Sequence, residues 1–261
     1  MNFFRILKLL ARRKPFLHFL RRGFWTGECP ICGGSAIFYL EGDYRRDQLR
    51  CLDCYSIPRW RAVMDLLRTR YPDWKNLKIH ESSASGPVYH LFMRECNGYQ
   101  ASQFFEGGAR GEVYQGFRCE DLGNQTFPDE SFDLVITQDV LEHLPDPESA
   151  FREIARTLKP GGAHLFTVPW YRGTKTRARA KFHENGKVEH LLPPQYHGNP
   201  VDPCGSLVVT DWGDDMLQVI FDSSGMTTEV FDAVQLGKGI DGEFREVFLS
   251  LKPNEGRSSK P

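Results

Sequence analysis

Apolar positions spaced three and four residues apart predict two amphipathic helices. One covers 59–71, with Ala62, Val63, Leu66 and Leu67 on one face, and ends at Pro72. The other covers 147–159, with Phe151, Ile154, Ala155 and Leu158 on one face, and stops at Pro160-Gly161-Gly162. Short apolar runs predict strands at 77–82, 99–105, 112–120, 131–138 and 163–170. A helix over 87–96 follows the first of these, and Asp211 and Gly213 open another through Phe221. Residues 227–234 and 243–252 alternate polar and apolar, which suits an antiparallel edge pair. This order predicts an α/β fold with a doubly wound, mostly parallel sheet.

Ahead of these elements, Phe3, Ile6, Leu7 and Leu10 recur at helical spacing until Pro15. Residues 1–24 carry seven cations and no acid, +7, which leaves −8 for the remainder of a chain whose net charge is −1. A basic amphipathic segment either lies on an anionic membrane surface or docks on its own domain. At 40% apolar and 13% aromatic residues, wholesale disorder is excluded. The near-neutral charge makes nucleic acid the less favoured partner. No apolar run reaches the ~18–20 residues needed to cross a bilayer, and no secretory signal pattern is present. The expected location is cytoplasmic, at the inner face of the membrane if residues 1–24 bind lipid. The expected organisation is a basic segment at 1–24, a cysteine-rich module at 25–60, a main domain at 61–255 with an insertion at 170–212, and a frayed tail at 256–261.

Seven cysteines include two CxxC pairs, Cys29/Cys32 and Cys51/Cys54, eighteen residues apart. An odd count with such pairs does not read as a disulfide framework. The spacing matches a four-thiolate tetrahedral site, and four soft ligands without redox need suit a structural Zn2+. A small N-terminal zinc ribbon is the expected module.

In doubly wound sheets, ligands bind outside the carboxyl ends of the strands. The first strand here ends in Glu81-Ser82-Ser83-Ala84-Ser85-Gly86, small residues without the GxGxxG of a dinucleotide site. Further on come Glu120-Asp121-Leu122, then Phe132-Asp133 opening a strand, then Gln138-Asp139-Val140-Leu141-Glu142-His143, and finally Leu158-Lys159-Pro160-Gly161-Gly162. This succession resembles the class I S-adenosylmethionine-dependent methyltransferases, in particular the type 11 family. The resemblance spans roughly 77–170. It implies a Rossmann-like, seven-stranded methyltransferase fold and S-adenosylmethionine as cofactor. It implies that Glu81, Ser82, Ser83, Ala84 and Gly86 form the loop under the methionine part, although serines stand where the family has glycines. Ser102 or Gln103 would take the ribose, Asp121 and Leu122 the adenine, and Gln138 and Asp139 would lie beside the reactive methyl.

Methyl transfer to a hydroxyl needs alignment and a proton acceptor, a role that suits histidine. If 139–143 is helical, Asp139, Glu142 and His143 share one face and could hold a second divalent ion. That pattern is similar to the Glu-x-x-Glu-His site of ubiquinone-biosynthesis O-methyltransferases. His143 is otherwise a base or pocket-lining residue. The insertion at 170–212 is a candidate substrate lid, with Tyr196 and His197 as acceptor-site candidates. The cations Arg172, Lys175, Arg177, Arg179 and Lys181 either face phosphate or form a solvated surface. The leading function is O-methylation of a sugar, glycan or other small molecule. The alternatives are RNA methylation and a non-catalytic zinc-ribbon scaffold on a degenerate methyltransferase fold.

Overall fold

The computed structural model describes residues 23–254 except 184 and 200. Most of the basic segment at 1–24 and all of the tail at 256–261 therefore lie outside the described residues.

Three antiparallel strands open the described chain: β1 (Phe24–Glu28), β2 (Ser35–Leu40) and β3 (Leu49–Cys51). A four-residue helix, α1 (Arg45–Gln48), sits in the β2–β3 connection. Helix α2 (Pro58–Arg70) follows, with proline at its first turn, where no N–H is needed. Next come β4 (Lys78–Ser82), α3 (Gly86–Glu95) and β5 (Gly98–Gln103). The predicted single strand over 112–120 is instead a hairpin, β6 (Val113–Tyr114) and β7 (Phe117–Cys119). Gln115 and Gly116 both adopt positive φ there and reverse the chain in a two-residue turn. β8 (Phe132–Gln138), α4 (Pro147–Thr157) and β9 (Leu158–Thr167) complete the central part. Asp146 caps α4 by accepting from the Ser149 amide.

The predicted lid contains three two-stranded antiparallel pairs. β10 (Arg177–Ala178) pairs with β15 (Thr210–Asp211), β11 (Ala180–Phe182) with β12 (Val188–His190), and β13 (Tyr196–His197) with β14 (Ser206–Leu207). Asp211 therefore belongs to a strand and does not open the next helix, α5 (Met216–Ser224). β16 (Thr227–Asp232) and β17 (Glu246–Leu251) close the chain as an antiparallel pair at the sheet edge.

The main sheet has strand order β16-β17-β9-β8-β4-β5-β7-β6. β9, β8, β4, β5 and β7 run parallel, and β17 is antiparallel to β9. This is the expected doubly wound, mostly parallel, Rossmann-like sheet. It has eight strands rather than seven because the β6–β7 hairpin adds one at the edge. Alternation along each strand sends side chains to two cores. Ile79, Leu134, Ile136 and Leu165 face α2 and α3, while Val135, Phe166 and Phe248 face α4 and α5. The first core also contains Cys29, Ile31, Phe38, Leu49 and Cys51, so the cysteine-bearing strands are welded to the sheet domain through shared apolar burial.

The sheet's middle carries two buried imidazoles. His80 pairs with Ser102 Oγ at 2.8 Å, and His164 with Thr137 Oγ1 at 2.9 Å. Desolvation drives both histidines down to about 3, which keeps them neutral.

Candidate functional site

β4 is flanked by β5 on one side and β8 on the other, so the strand order reverses there. A cleft of about 590 Å³ opens at that point, over the carboxyl ends of β4 and β8. Its size suits a small-molecule ligand. Glu81, Ser83 and Ser85 form its floor, with Gln138 and Asp139 beside them and His143 and His197 at its far wall. The cysteine-bearing module and α2 also line the cleft, through Tyr44, Arg46, Arg50, Arg59 and Trp60.

Glu81 is 2% exposed. Its carboxylate accepts from Tyr99 Oη at 2.5 Å and from Gln138 Nε2 at 3.1 Å. Burial nevertheless pushes it up to about 7. Ser83 sits at φ 58°, in the left-handed region, and its amide donates to the Ser102 carbonyl at 2.9 Å. Gly86 has φ +66°, and a Cβ there would come within 2.5 Å of the Trp60 ring. Glycine is required at this turn on both counts.

Asp139 lies at φ 54°, just past β8. Arg46 grips it bidentately, at 2.6 and 2.8 Å. Thr167 Oγ1 donates to it at 2.9 Å, and Arg59 stands 3.4 Å away. Burial opposes its charge, but the two guanidiniums hold its carboxyl well below the usual range. This corrects the proposed ion site at Asp139/Glu142/His143. Residues 141–143 form a single 3₁₀ turn rather than an α-helix, and Asp139 is already committed to Arg46. The three-ligand cluster present is Glu142, His143 and His197, whose ligand atoms lie within 4.8 Å of one another.

Other expected residues fall outside the cleft lining. Ser102 is fully buried on His80, and Gln103 donates to the Ala84 carbonyl, so neither side chain is free for a ribose. Leu122 is packed in the core against α4. Asp121 caps its own turn by accepting from the Gly123 amide at 2.9 Å. Ala84 is buried, and neither it nor Ser82 lines the cleft. Tyr196 is 57% exposed. In the two-residue strand β13 consecutive side chains point to opposite sides, so His197 faces the cleft and Tyr196 faces away. Arg177 and Arg179 both bind the buried Asp211, and Arg172 binds Glu246, so these three cations are structural. The arginines of the cleft wall escaped the sequence reading. For Arg46 the signal was the charged stretch Glu41-Gly42-Asp43-Tyr44-Arg45-Arg46-Asp47, which carries no recognisable spacing.

The four CxxC thiols converge. Cys29 and Cys54 Sγ are 3.7 Å apart, and Cys32 and Cys51 Sγ are 3.9 Å apart. Sulfurs around a tetrahedral zinc at about 2.3 Å stand about 3.8 Å apart, so this donor set fits the ion. Arg61, fully buried, donates to Ser56 and to the Leu49 and Gly239 carbonyls beside the cluster. It gives compensating charge to a site of four thiolates.

Residues 99–166 match the family model described as "Methyltransferase domain". That span contains Asp121, Gln138, Asp139, Glu142 and His143, whereas Glu81–Gly86 lies outside it. Phosphoethanolamine N-methyltransferase 1 of Arabidopsis thaliana is 31% identical over 108 residues, 40% of this chain and 22% of that protein. Phosphoethanolamine N-methyltransferase 2 of Caenorhabditis elegans is 48% identical over 42 residues, 16% of this chain and 10% of that protein. A ubiquinone biosynthesis O-methyltransferase of Coxiella burnetii is 33% identical over 52 residues, 20% of this chain and 22% of that protein. The chain thus spans between a tenth and about a fifth of these curated relatives. The crystal structure of an S-adenosylmethionine-dependent methyltransferase from Mesorhizobium loti aligns with a TM-score of 0.47 at 18% identity, over 73% of this chain and 98% of that one.

Proposed function

We propose that the protein is an S-adenosylmethionine-dependent methyltransferase acting on a hydroxyl of a small molecule or glycan, with a structural zinc held by Cys29, Cys32, Cys51 and Cys54. The observation that carries this reading is the cleft at the switch point of the methyltransferase-type sheet, adjoining the segment that matches the methyltransferase domain model. The bound cofactor would supply a sulfonium methyl that is already electrophilic. Glu81, Ser83, Ser85 and Gln138 form the polar end of the cleft and suit its amino-acid part. Asp139, kept anionic between Arg46 and Arg59, fixes the mouth of β8.

The acceptor lies against the His143–His197 wall. His143 Nδ1 donates to the Leu207 carbonyl at 2.9 Å, which leaves Nε2 as the lone-pair nitrogen on the cleft side. A hydroxyl acceptor needs such a group to take its proton. The membrane-contact role of residues 1–24 remains part of this proposal. Deleting them is expected to weaken retention on anionic liposomes, and unchanged retention removes that element alone.

Calorimetry with S-adenosylmethionine and with its demethylated product tests the central reading. Saturable one-to-one binding in the micromolar range is expected. No binding at millimolar cofactor overturns it in favour of the non-catalytic scaffold.

A further inference from the structure

We propose that Glu142, His143 and His197 form a binding site for one divalent first-row transition ion, distinct from the four-cysteine site. Glu142 is 1% exposed, and neither carboxylate oxygen has a hydrogen-bond partner among the described residues. A buried carboxylate without donors is costly and calls for a cation or a missing ligand. Arg46 and Arg59 are within electrostatic reach of Glu142, but their direct contacts go to Asp139 and Asp47.

Two imidazole nitrogens approach the same carboxylate oxygen. His143 Nε2 is 3.8 Å and His197 Nδ1 is 3.7 Å from Glu142 Oε1. These separations are too long for hydrogen bonds. Donors sharing one ion at about 2.0–2.2 Å stand about 3.0–3.6 Å apart, so closure by a few tenths of an ångström completes the set. The two rings meet edge to face at 5.2 Å, with different nitrogens turned to the shared carboxylate.

The lid preorganises all three ligands. The Val209 amide donates to the Glu142 carbonyl at 2.7 Å. His143 Nδ1–H is held by Leu207, the outer contact that orients a metal-binding imidazole. His197 is placed by pairing with Ser206 across β13–β14. The turn between those strands needs Gly205 at φ +79°, where a Cβ would strike the His197 carbonyl. Gln195 lies 3.2 Å from His197 Nε2, and its amide can present oxygen to that N–H when Nδ1 binds the ion.

Two imidazoles and a carboxylate suit Zn2+, Mn2+, Fe2+ or Co2+, with remaining coordination positions open to the cleft. Those positions take an oxygen ligand. Under the proposed methyl transfer that ligand is the acceptor hydroxyl, which the ion helps to lose its proton to cleft water; with the ion bound, His143 Nε2 is a ligand and no longer the proton acceptor. Ion binding itself does not rest on that reading.

The test is Co2+ and Zn2+ titration of the full-length protein, followed by calorimetry and visible absorption. Two equivalents are expected in wild type. One gives the intense sulfur-to-cobalt bands of the cysteine site, and the other gives weak bands of nitrogen and oxygen ligation. His197→Ala, at a partly exposed lid position, and Glu142→Gln are each expected to weaken only the second equivalent, by at least about tenfold. Circular dichroism checks that each variant is folded, and His197→Ala decides the matter if Glu142→Gln is not. A single equivalent in wild type, or a second equivalent unaffected by His197→Ala, overturns the proposal. Cofactor calorimetry on the same samples keeps that failure separate from failure of the methyltransferase reading.

Discussion

Arg46 and Asp139 form a two-pronged ion pair, 2.6 and 2.8 Å long, between the short helix of the cysteine module and the mouth of the fourth parallel strand of the domain. Both side chains are at most 10% exposed. The pair makes the cysteine module one wall of the cleft, so changes in either part reach the other.

Asp139→Asn keeps a residue that tolerates the left-handed backbone but strands Arg46 without its counter-charge and leaves Arg59 with Asp47 alone. The expected cost is about 3–5 kcal/mol in urea unfolding, the range for breaking a buried pair from one side. The double variant Arg46→Met/Asp139→Asn should recover part of that loss. Purely additive effects would show that the two residues are not coupled.

Removing the proposed zinc, by a strong chelator or by Cys51→Ser, is expected to lower the thermal midpoint of the whole domain. Cys29 and Cys51 share their core with Ile79, Leu134 and Val247, so the module does not melt alone. Cofactor affinity should fall by about tenfold or more, because Tyr44 and Arg46 lose their scaffold. Scanning calorimetry checks the first outcome and cofactor titration the second. An unchanged main transition would contradict the shared core.

Gly86→Ala places a methyl against the Trp60 ring at a positive φ. Destabilisation by about 1–3 kcal/mol is expected, with altered tryptophan fluorescence and weaker cofactor binding. Trp60→Ala in the same chain should relieve the steric part and leave the backbone strain. If the single and double variants match in stability, the ring contact has no energetic weight.

Acid should destabilise the fold through His80 and His164. The unfolded chain protonates each histidine near about 6.5, while the native imidazoles stay neutral down to about 3. Stability therefore falls as pH drops through that window, by up to about 1.4 kcal/mol per pH unit for each histidine. Glu81 works in the opposite direction. Pushed up to about 7 from 4.5, it binds its proton more readily in the fold, so between those values it adds stability as pH falls. The net loss should steepen once pH drops below 4.5, where Glu81 no longer offsets the imidazoles. Urea midpoints between pH 4 and pH 7 measure this, and His164→Gln should flatten the slope by one proton's share.

Several expectations were legible because their causes are local. The apolar face of 147–159, the alternation in 227–234 and the CxxC spacing each depend on residues close in sequence, and the structure reproduces the first two as α4 and β16. The cofactor positions were less legible. Ser102 is turned by strand parity onto His80, and Asp121 stands outside the cleft lining with one carboxylate oxygen on its own turn. Neither outcome has a compositional signature.

Most of the strand and helix order outside the lid, the paired thiols and the helix stop ahead of Pro160-Gly161-Gly162 followed from the chain alone, since periodicity, chelate spacing and helix-breaking chemistry operate over a few residues. The meeting of Arg46 with Asp139 across 93 positions, and of His197 with Glu142, was decided by tertiary structure. Those contacts arise from sheet order and lid pairing, which bring together residues whose neighbours in sequence hold no trace of each other.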